Sequence, residues 1–339
     1  MIGFMLVIIL GLVGGVKALD AQERATGAAS FIRLGSSARA IAMGRAYTAL
    51  ADRDALAAFW NPAGIAGSQR PRIAVTDRFM GDGKLGMDGA FSFVSAGGSM
   101  PVTGNLAVGF GVMYYGVDGI EQYDQRGVYQ GTFSDSEALL LLSLARLEGP
   151  MALGVNVKYV SQWFSGLVGE VGKTSAHGIG LDVGLIVRFL EPLTLGIMLR
   201  NKTDLEYDRV PTSASVGIAY ERRMRVAGMD PQLVAALDVE QVKDRPLRLH
   251  MGLGLERLIS FQDIAFSMRL GHNNRLIEGR LARILAPEFK DELEGEDLVE
   301  PNVRWGIGIG ITKGGFNLDY TFSRGMLHDP HYLSLGYEY

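Results

Sequence analysis

The chain has 339 residues, a formal net charge of −4 and no cysteine. That composition excludes disulfides, thiolate metal sites and a lipid-bearing cysteine, and it gives no electrostatic footing for nucleic acid. Hydrophobic residues make up 47% and the mean hydropathy is +0.14. Past the first residues, however, no apolar run reaches the about 18 residues that a membrane-crossing helix needs. The apolar residues must therefore be spread by alternation. Glycine, at 45 of 339, is well above its usual share of about 7%.

In chain order, Met1 to Val16 is continuously apolar or glycine, and Lys17-Ala18 then leads into the polar stretch Asp20 to Arg24. This run is short for a membrane span and suits the apolar part of a secretory signal, with cleavage after Ala18 and Ala21 as the alternative. No Lys or Arg precedes it, so its positive charge is the amino terminus alone. A single membrane anchor is the competing reading, and the missing stop-transfer charges weigh against it. The expected organisation is a signal peptide over 1–18, a periplasmic or plug segment over 19–70, and a barrel over 71–339.

The plug segment, Gly35 to Ala66, is rich in small residues and too polar to cross a membrane. Ser36-Ser37 are placed to cap a short helix running through Met43. Asp52 or Asp54 is placed to cap a second turn, Ala55 to Trp60, which Pro62 ends by disfavouring helix at Asn61. Ala and Gly dominate because a plug inside a barrel lies close to strand backbones. Arg39, Arg45, Arg53 and Asp54 are the expected partners of lumen charges such as Lys158, Asp182, Glu240 and Arg269, with Arg188 a further lumen charge. A loose periplasmic segment is the alternative. The run Ala42-Met43-Gly44, Ala46, Tyr47-Thr48-Ala49-Leu50-Ala51-Asp52, followed by Asn61-Pro62-Ala63-Gly64, resembles the N-terminal segment of the PorV/PorQ family of outer-membrane proteins. More distantly, it resembles the hatch of FadL-type transporters. Gly35, Arg39, Met43, Gly44, Tyr47, Asp52, Asn61, Pro62, Ala63 and Gly64 are thus the candidate plug residues.

From Arg72 onward the period is two. Ile179, Leu181, Val183, Leu185, Val187 and Phe189 share one face, against Gly178, Gly180, Asp182, Gly184, Ile186 and Arg188 on the other. The segments 247–256 and 303–312 repeat the pattern. Glycine interleaved with single charges opposite a face of large apolar residues is the mark of a transmembrane barrel with lipid outside. Segments at 72–79, 88–96, 104–115, 132–146, 150–163, 175–189, 192–202, 213–222, 230–241, 245–256, 260–271, 302–312, 315–323 and 331–339 predict fourteen antiparallel strands. Tight joins alternate with long ones at 116–131, 164–174, 201–212 and 272–301, which puts both barrel ends in the periplasm. The joins at 80–87 and 242–244 are short where a long one is expected. On this reading Val183 faces lipid and Gly184 the lumen, so Gly184→Ala is the cheaper change unless the plug touches it.

The last residues, His331 to Tyr339, place Leu333, Leu335, Tyr337 and Tyr339 on one face and end on an aromatic. That resembles the last-strand signal read by the outer-membrane assembly machinery, and such rings sit well at headgroup depth. Enzyme-like signals are thin. The glycines of 306–310 lack dinucleotide spacing and lie in a strand. The five histidines show no metal-ligand spacing. Ser267 near His272 lacks an activating third group. No catalytic, cofactor or metal residue is assigned. The acidic run Glu288 to Glu300 reads as a solvated outer loop, with a divalent-cation or partner site as the alternative. Two functions remain. PorV/PorQ resemblance implies a non-enzymatic component of type IX secretion in a Gram-negative outer membrane, with secreted cargo and machinery proteins as partners beside the lipids. FadL resemblance implies passage of hydrophobic small molecules, with the hatch shifting to open a lateral route.

Overall fold

A computed structural model describes residues 30–80, 91–168, 174–200, 203–205, 209–225, 229–243, 247–261, 263–275, 305–324 and 329–339. The expected signal segment and the acidic run 288–300 lie outside them. Fourteen antiparallel strands close into one barrel. The first seven are β1 (Arg72–Met80), β2 (Phe91–Pro101), β3 (Leu106–Tyr123), β4 (Tyr129–Glu148), β5 (Met151–Ser165), β6 (Ser175–Leu190) and β7 (Leu193–Arg200). A two-stranded ribbon, β8 (Thr203–Asp204) with β9 (Arg209–Val210), interrupts the order. The wall then resumes with β10 (Ser213–Arg223), β11 (Gln232–Val242), β12 (Arg248–Phe261), β13 (Ile264–Arg275), β14 (Trp305–Lys313), β15 (Phe316–Arg324) and β16 (Pro330–Glu338). Closure is by β1 against β16, with Val75 opposite Leu335.

The distribution of polarity is inverted relative to a soluble protein. Outward side chains are large and apolar, with Ile179 70% and Leu142 60% exposed, while Asn156, Lys158 and Asp182 point inward and are buried. A closed wall leaves no strand edge unpaired, and an apolar exterior is the only face that lipid tolerates. Leu333, Leu335 and Tyr339 all face out, as the alternation of the last strand predicts. At the tight-turn end Tyr337 packs on Phe316 at 4.5 Å and on Tyr339 at 4.7 Å. Trp305 and His272, at 4.4 Å, stand at the other.

Several boundaries differ from expectation. The predicted loop 116–131 is mostly strand, because β3 and β4 stay paired as far as Tyr123 and Tyr129 through two register shifts. Its short turn is made by Asp124, whose Oδ1 accepts from the amides of Arg126 at 2.8 Å and Val128 at 2.9 Å. The glycines of β2 do not end the strand, since Gly97 pairs with Gly111 and the ladder continues to Pro101. On β12 a register shift between Leu255 and Ile259 carries the strand on to Phe261, and β13 begins and ends correspondingly later.

Val183 lies near the middle of β6, facing out and 41% exposed. Val183→Arg is therefore expected to cost about 2–4 kcal/mol in a denaturant titration of the bilayer-inserted barrel. A cost near zero would mean that the wall faces are inverted.

Candidate functional site

Residues 30–68 thread the lumen as a compact hatch. It comprises a 3₁₀ turn (Ser30–Leu34), helix α1 (Ala38–Ala42), a turn at Ala51–Arg53, helix α2 (Ala57–Trp60) and a second 3₁₀ turn (Pro62–Gly67). Ser37 caps α1 as predicted, its hydroxyl accepting from the amide of Ala40 at 3.4 Å. The second helix starts at Ala57, later than expected, and has no side-chain cap. Asp54 instead accepts from the amide of Leu56 at 2.9 Å, and Asp52 is drawn off to Arg188. Asn61 is extended ahead of Pro62, as the ring demands. The first turn sits toward the long-loop end, where Tyr332 donates to the Leu34 carbonyl at 3.4 Å and Phe31 stacks on Tyr115. The last turn meets β5 and β6 near the tight-turn end.

Glycines let this polypeptide lie against the wall. A Cβ on Gly271 would stand 1.8 Å from the Gly44 amide nitrogen, and one on Gly154 2.3 Å from the amide of Ala63. Gly196, Gly252 and Gly306 meet the backbones of Thr48, Met43 and Ile41 at 2.4, 2.5 and 2.6 Å. Gly184 is touched as well, its missing Cβ falling 1.9 Å from Asn61 Oδ1. The hatch therefore touches Gly184, the case in which Gly184→Ala was not expected to be the cheaper change. Gly44 itself needs its positive φ of 62° to turn the hatch between β12 and β13.

Polar side chains from the wall then satisfy the hatch backbone. Thr321 donates to the Ala38 carbonyl at 2.6 Å, and Ser334 accepts from the Ala38 amide at 2.7 Å. Asn156 donates to the Ala58 carbonyl at 2.8 Å. The carboxylate of Asp238 accepts from the amides of Tyr47 at 2.9 Å and Thr48 at 2.8 Å. From the hatch side, Asn61 donates to the carbonyls of Thr48 (2.9 Å), Leu185 (3.2 Å) and Ile197 (3.3 Å), and accepts from Ala63 at 3.1 Å. Asn61 was among the predicted residues, whereas Asp238 was missed. Its signal was a carboxylate at an inward position of β11, two residues before Glu240 on the same face.

Charge pairing follows a different map from the expected one. Arg39 reaches Glu256 at 3.2 Å, and Arg269 bridges Glu256 at 2.8 Å and Asp319 at 2.5 Å. Neither Glu256 nor Asp319 was singled out. Lys158 and Asp182 pair with each other at 2.6 Å instead of with the hatch. Glu240 takes Arg33 at 3.9 Å and His250 at 3.4 Å, while Arg45 donates to the Arg33 carbonyl. Asp54 accepts from the Ser37 and Tyr47 hydroxyls. Burial pushes the Tyr47 phenol well above its ordinary range, so it stays a neutral donor. The side chain of Arg53 lies outside the described residues.

Between the hatch and the inward-folded β8–β9 ribbon lies a chamber of about 90 Å³. Ile32, Phe59, Trp60, Leu139 and Leu141 form its apolar side, and Lys158, Asp182, Arg200, Glu240 and His250 its polar side. Val210 of the ribbon lines it, and Thr203 and Leu205 of the same segment are buried. Among the described residues no three His, Asp or Glu side chains are grouped to hold a metal ion.

A closed fourteen-stranded barrel plugged by its own N-terminal hatch is the class of protein that these features define. No protein-family model matches the chain, and no curated protein matches it in sequence. Solved structures do. The Ralstonia pickettii toluene transporter TbuX is similar with a TM-score of 0.59 at 14% identity, covering 90% of this chain and 98% of its own. The Pseudomonas putida toluene transporter TodX gives 0.53 at 12%, covering 89% and 96%. A Pseudomonas aeruginosa FadL homologue gives 0.51 at 13%, covering 88% and 97%. At such identities the likeness is one of fold.

Because Gly271 and Gly44 are in backbone contact, Gly271→Ala should cost about 3 kcal/mol, the upper end for overpacking. Gly104, with no atom near its missing Cβ, is the control, and Gly104→Ala should cost under about 0.5 kcal/mol. Equal penalties in the same unfolding titration would contradict the docked hatch.

Proposed function

We propose that this chain is a non-enzymatic outer-membrane channel for small hydrophobic molecules in a diderm bacterium, with the hatch controlling passage. The chamber carries the reading. It lies inside the barrel, directly above the hatch, and is apolar along one side, and such concave, mostly apolar sites with a few polar groups are where small molecules bind. The likeness of the barrel to two toluene transporters and a FadL homologue supports the same reading. The lumen is filled in this state, so passage requires hatch residues to shift, and the polar latches at Asn61 and Asp238 set how readily they do.

One observation favours a second reading, a PorV/PorQ-type component that handles secreted proteins. Among the described residues the β3–β4 hairpin runs past the pairing of β3 with β2, and it exposes Tyr123, Val128 and Tyr129. Exposed aromatics on a rigid support suit a protein partner.

Uptake separates the two. Cells carrying the chain in their outer membrane should accumulate radiolabelled toluene several-fold faster than cells without it. Asn61→Asp turns the two amide donors into acceptors facing three carbonyls, so it should loosen the hatch and change that rate further. Deleting Glu288 to Glu300 should leave the rate unaltered. No uptake by any form, together with a surface protein that co-purifies only while the β3–β4 hairpin is intact, would favour the secretion reading.

A further inference from the structure

We propose that the chamber is a binding site for a small organic carboxylate, its anionic head held by Arg200 and its apolar body lying against Phe59, Trp60 and Leu141. The proposal rests on the transport reading and names the substrate class of that same site. The carboxylates lining the chamber are all engaged. Asp182 is taken by Lys158 at 2.6 Å, Glu240 by Arg33 and His250, and Asp238 by two hatch amides. The lining cations Arg33, Arg45, Lys158 and Arg200 outnumber these three carboxylates.

Among the described residues Arg45 and Arg200 are the lining cations without a carboxylate partner, and Arg45 is turned onto the Trp60 ring at 5.9 Å and the Arg33 carbonyl, which leaves Arg200. It stands directly across the β6–β7 ladder from Asp182, whose Oδ1 is already held by Lys158. Its guanidinium uses only Nη2, which donates to the carbonyls of Trp60 at 3.1 Å and Phe59 at 3.3 Å. Among the described residues no carboxylate lies within ion-pairing distance of it. Arginine cannot shed its charge, and its remaining N–H groups form the planar fork that matches a carboxylate. An uncharged hydrocarbon would fill the apolar side and leave that fork without a direct ion-pair partner.

Size limits the body of the ligand. At about 90 Å³ the chamber is smaller than the about 150 Å³ cavity known to take benzene. A carboxylate on a few carbons fits, a single ring fits with slight widening, and a long acyl chain does not.

The test is titration calorimetry on the full-length purified barrel with butyrate, benzoate, palmitate and toluene. Butyrate and benzoate should bind, and Arg200→Gln should weaken both by at least about tenfold, the scale of a charge-assisted hydrogen bond. Arg200→Lys should restore part of the loss. Toluene affinity should be the same with and without Arg200, a readout that a purely structural clasp on α2 would not leave untouched. Heat-modifiable migration on gels reports whether each variant retains the barrel, and should Arg200→Gln fail to fold, Arg200→Lys alone should still weaken benzoate and spare toluene. Undiminished carboxylate binding in a folded Arg200→Gln variant would overturn the proposal, as would palmitate binding more tightly than benzoate. Toluene uptake without any carboxylate binding would sink this site and leave the transport reading standing.

Discussion

Placing folded polypeptide inside a closed barrel brings two backbones into contact over most of the lumen. Each brings amide and carbonyl groups that must find partners, because a buried unpaired one costs about 1–3 kcal/mol. Side chains larger than hydrogen on the facing strands would hold the two apart. The glycines on β5, β6, β7, β12, β13 and β14 remove that obstacle, and the alanines of α1 do the same from the hatch side. Among the described residues, these inward glycines lie where the plug lies. Their placement follows from one geometric demand and is no general sign of flexibility.

Once the backbones are close, the lumen can be polar without being wet. Wall residues Thr321, Ser334, Asn156 and Asp238 supply hydrogen bonds to hatch groups, and Asn61 returns them to the wall. Charges appear in balanced sets, with Arg39, Arg269, Glu256 and Asp319 forming one network between hatch and wall. Such sets contribute little net stability but are strongly disrupted when one member is removed. They define one seating of the hatch more than they strengthen it. The chamber is where this pairing is incomplete, and its apolar side together with Arg200 gives it the character of a site.

Much of this was legible in the sequence. Strand number followed from the period of two and the glycine-bearing inner face, since lipid outside imposes the alternation residue by residue. The seat of Asn61 was legible because proline at 62 fixes the backbone before it. Less legible was anything that depends on which strand faces which part of the hatch. Asp238, Glu256 and Asp319 are carboxylates within strands, and their roles come from register and threading, which no local pattern encodes. Lys158 and Asp182 were visible as lumen charges, yet their neighbouring strands pair them with each other. The β3–β4 hairpin was hidden by turn chemistry at Asp124 and Gly127, which lets strands run on through a polar stretch.

The absence of cysteine from the chain makes the central claim directly measurable. A single cysteine placed at Ala40, which is fully buried in the hatch, should resist a water-soluble maleimide in the folded barrel. One placed at Gln125, exposed in the β3–β4 turn, should react at once. Denaturation should bring the two rates together. Labelling of the Ala40 position in the native barrel as fast as the Gln125 position would mean that residues 35–66 are not seated in the lumen, and the account built on that seat would fail.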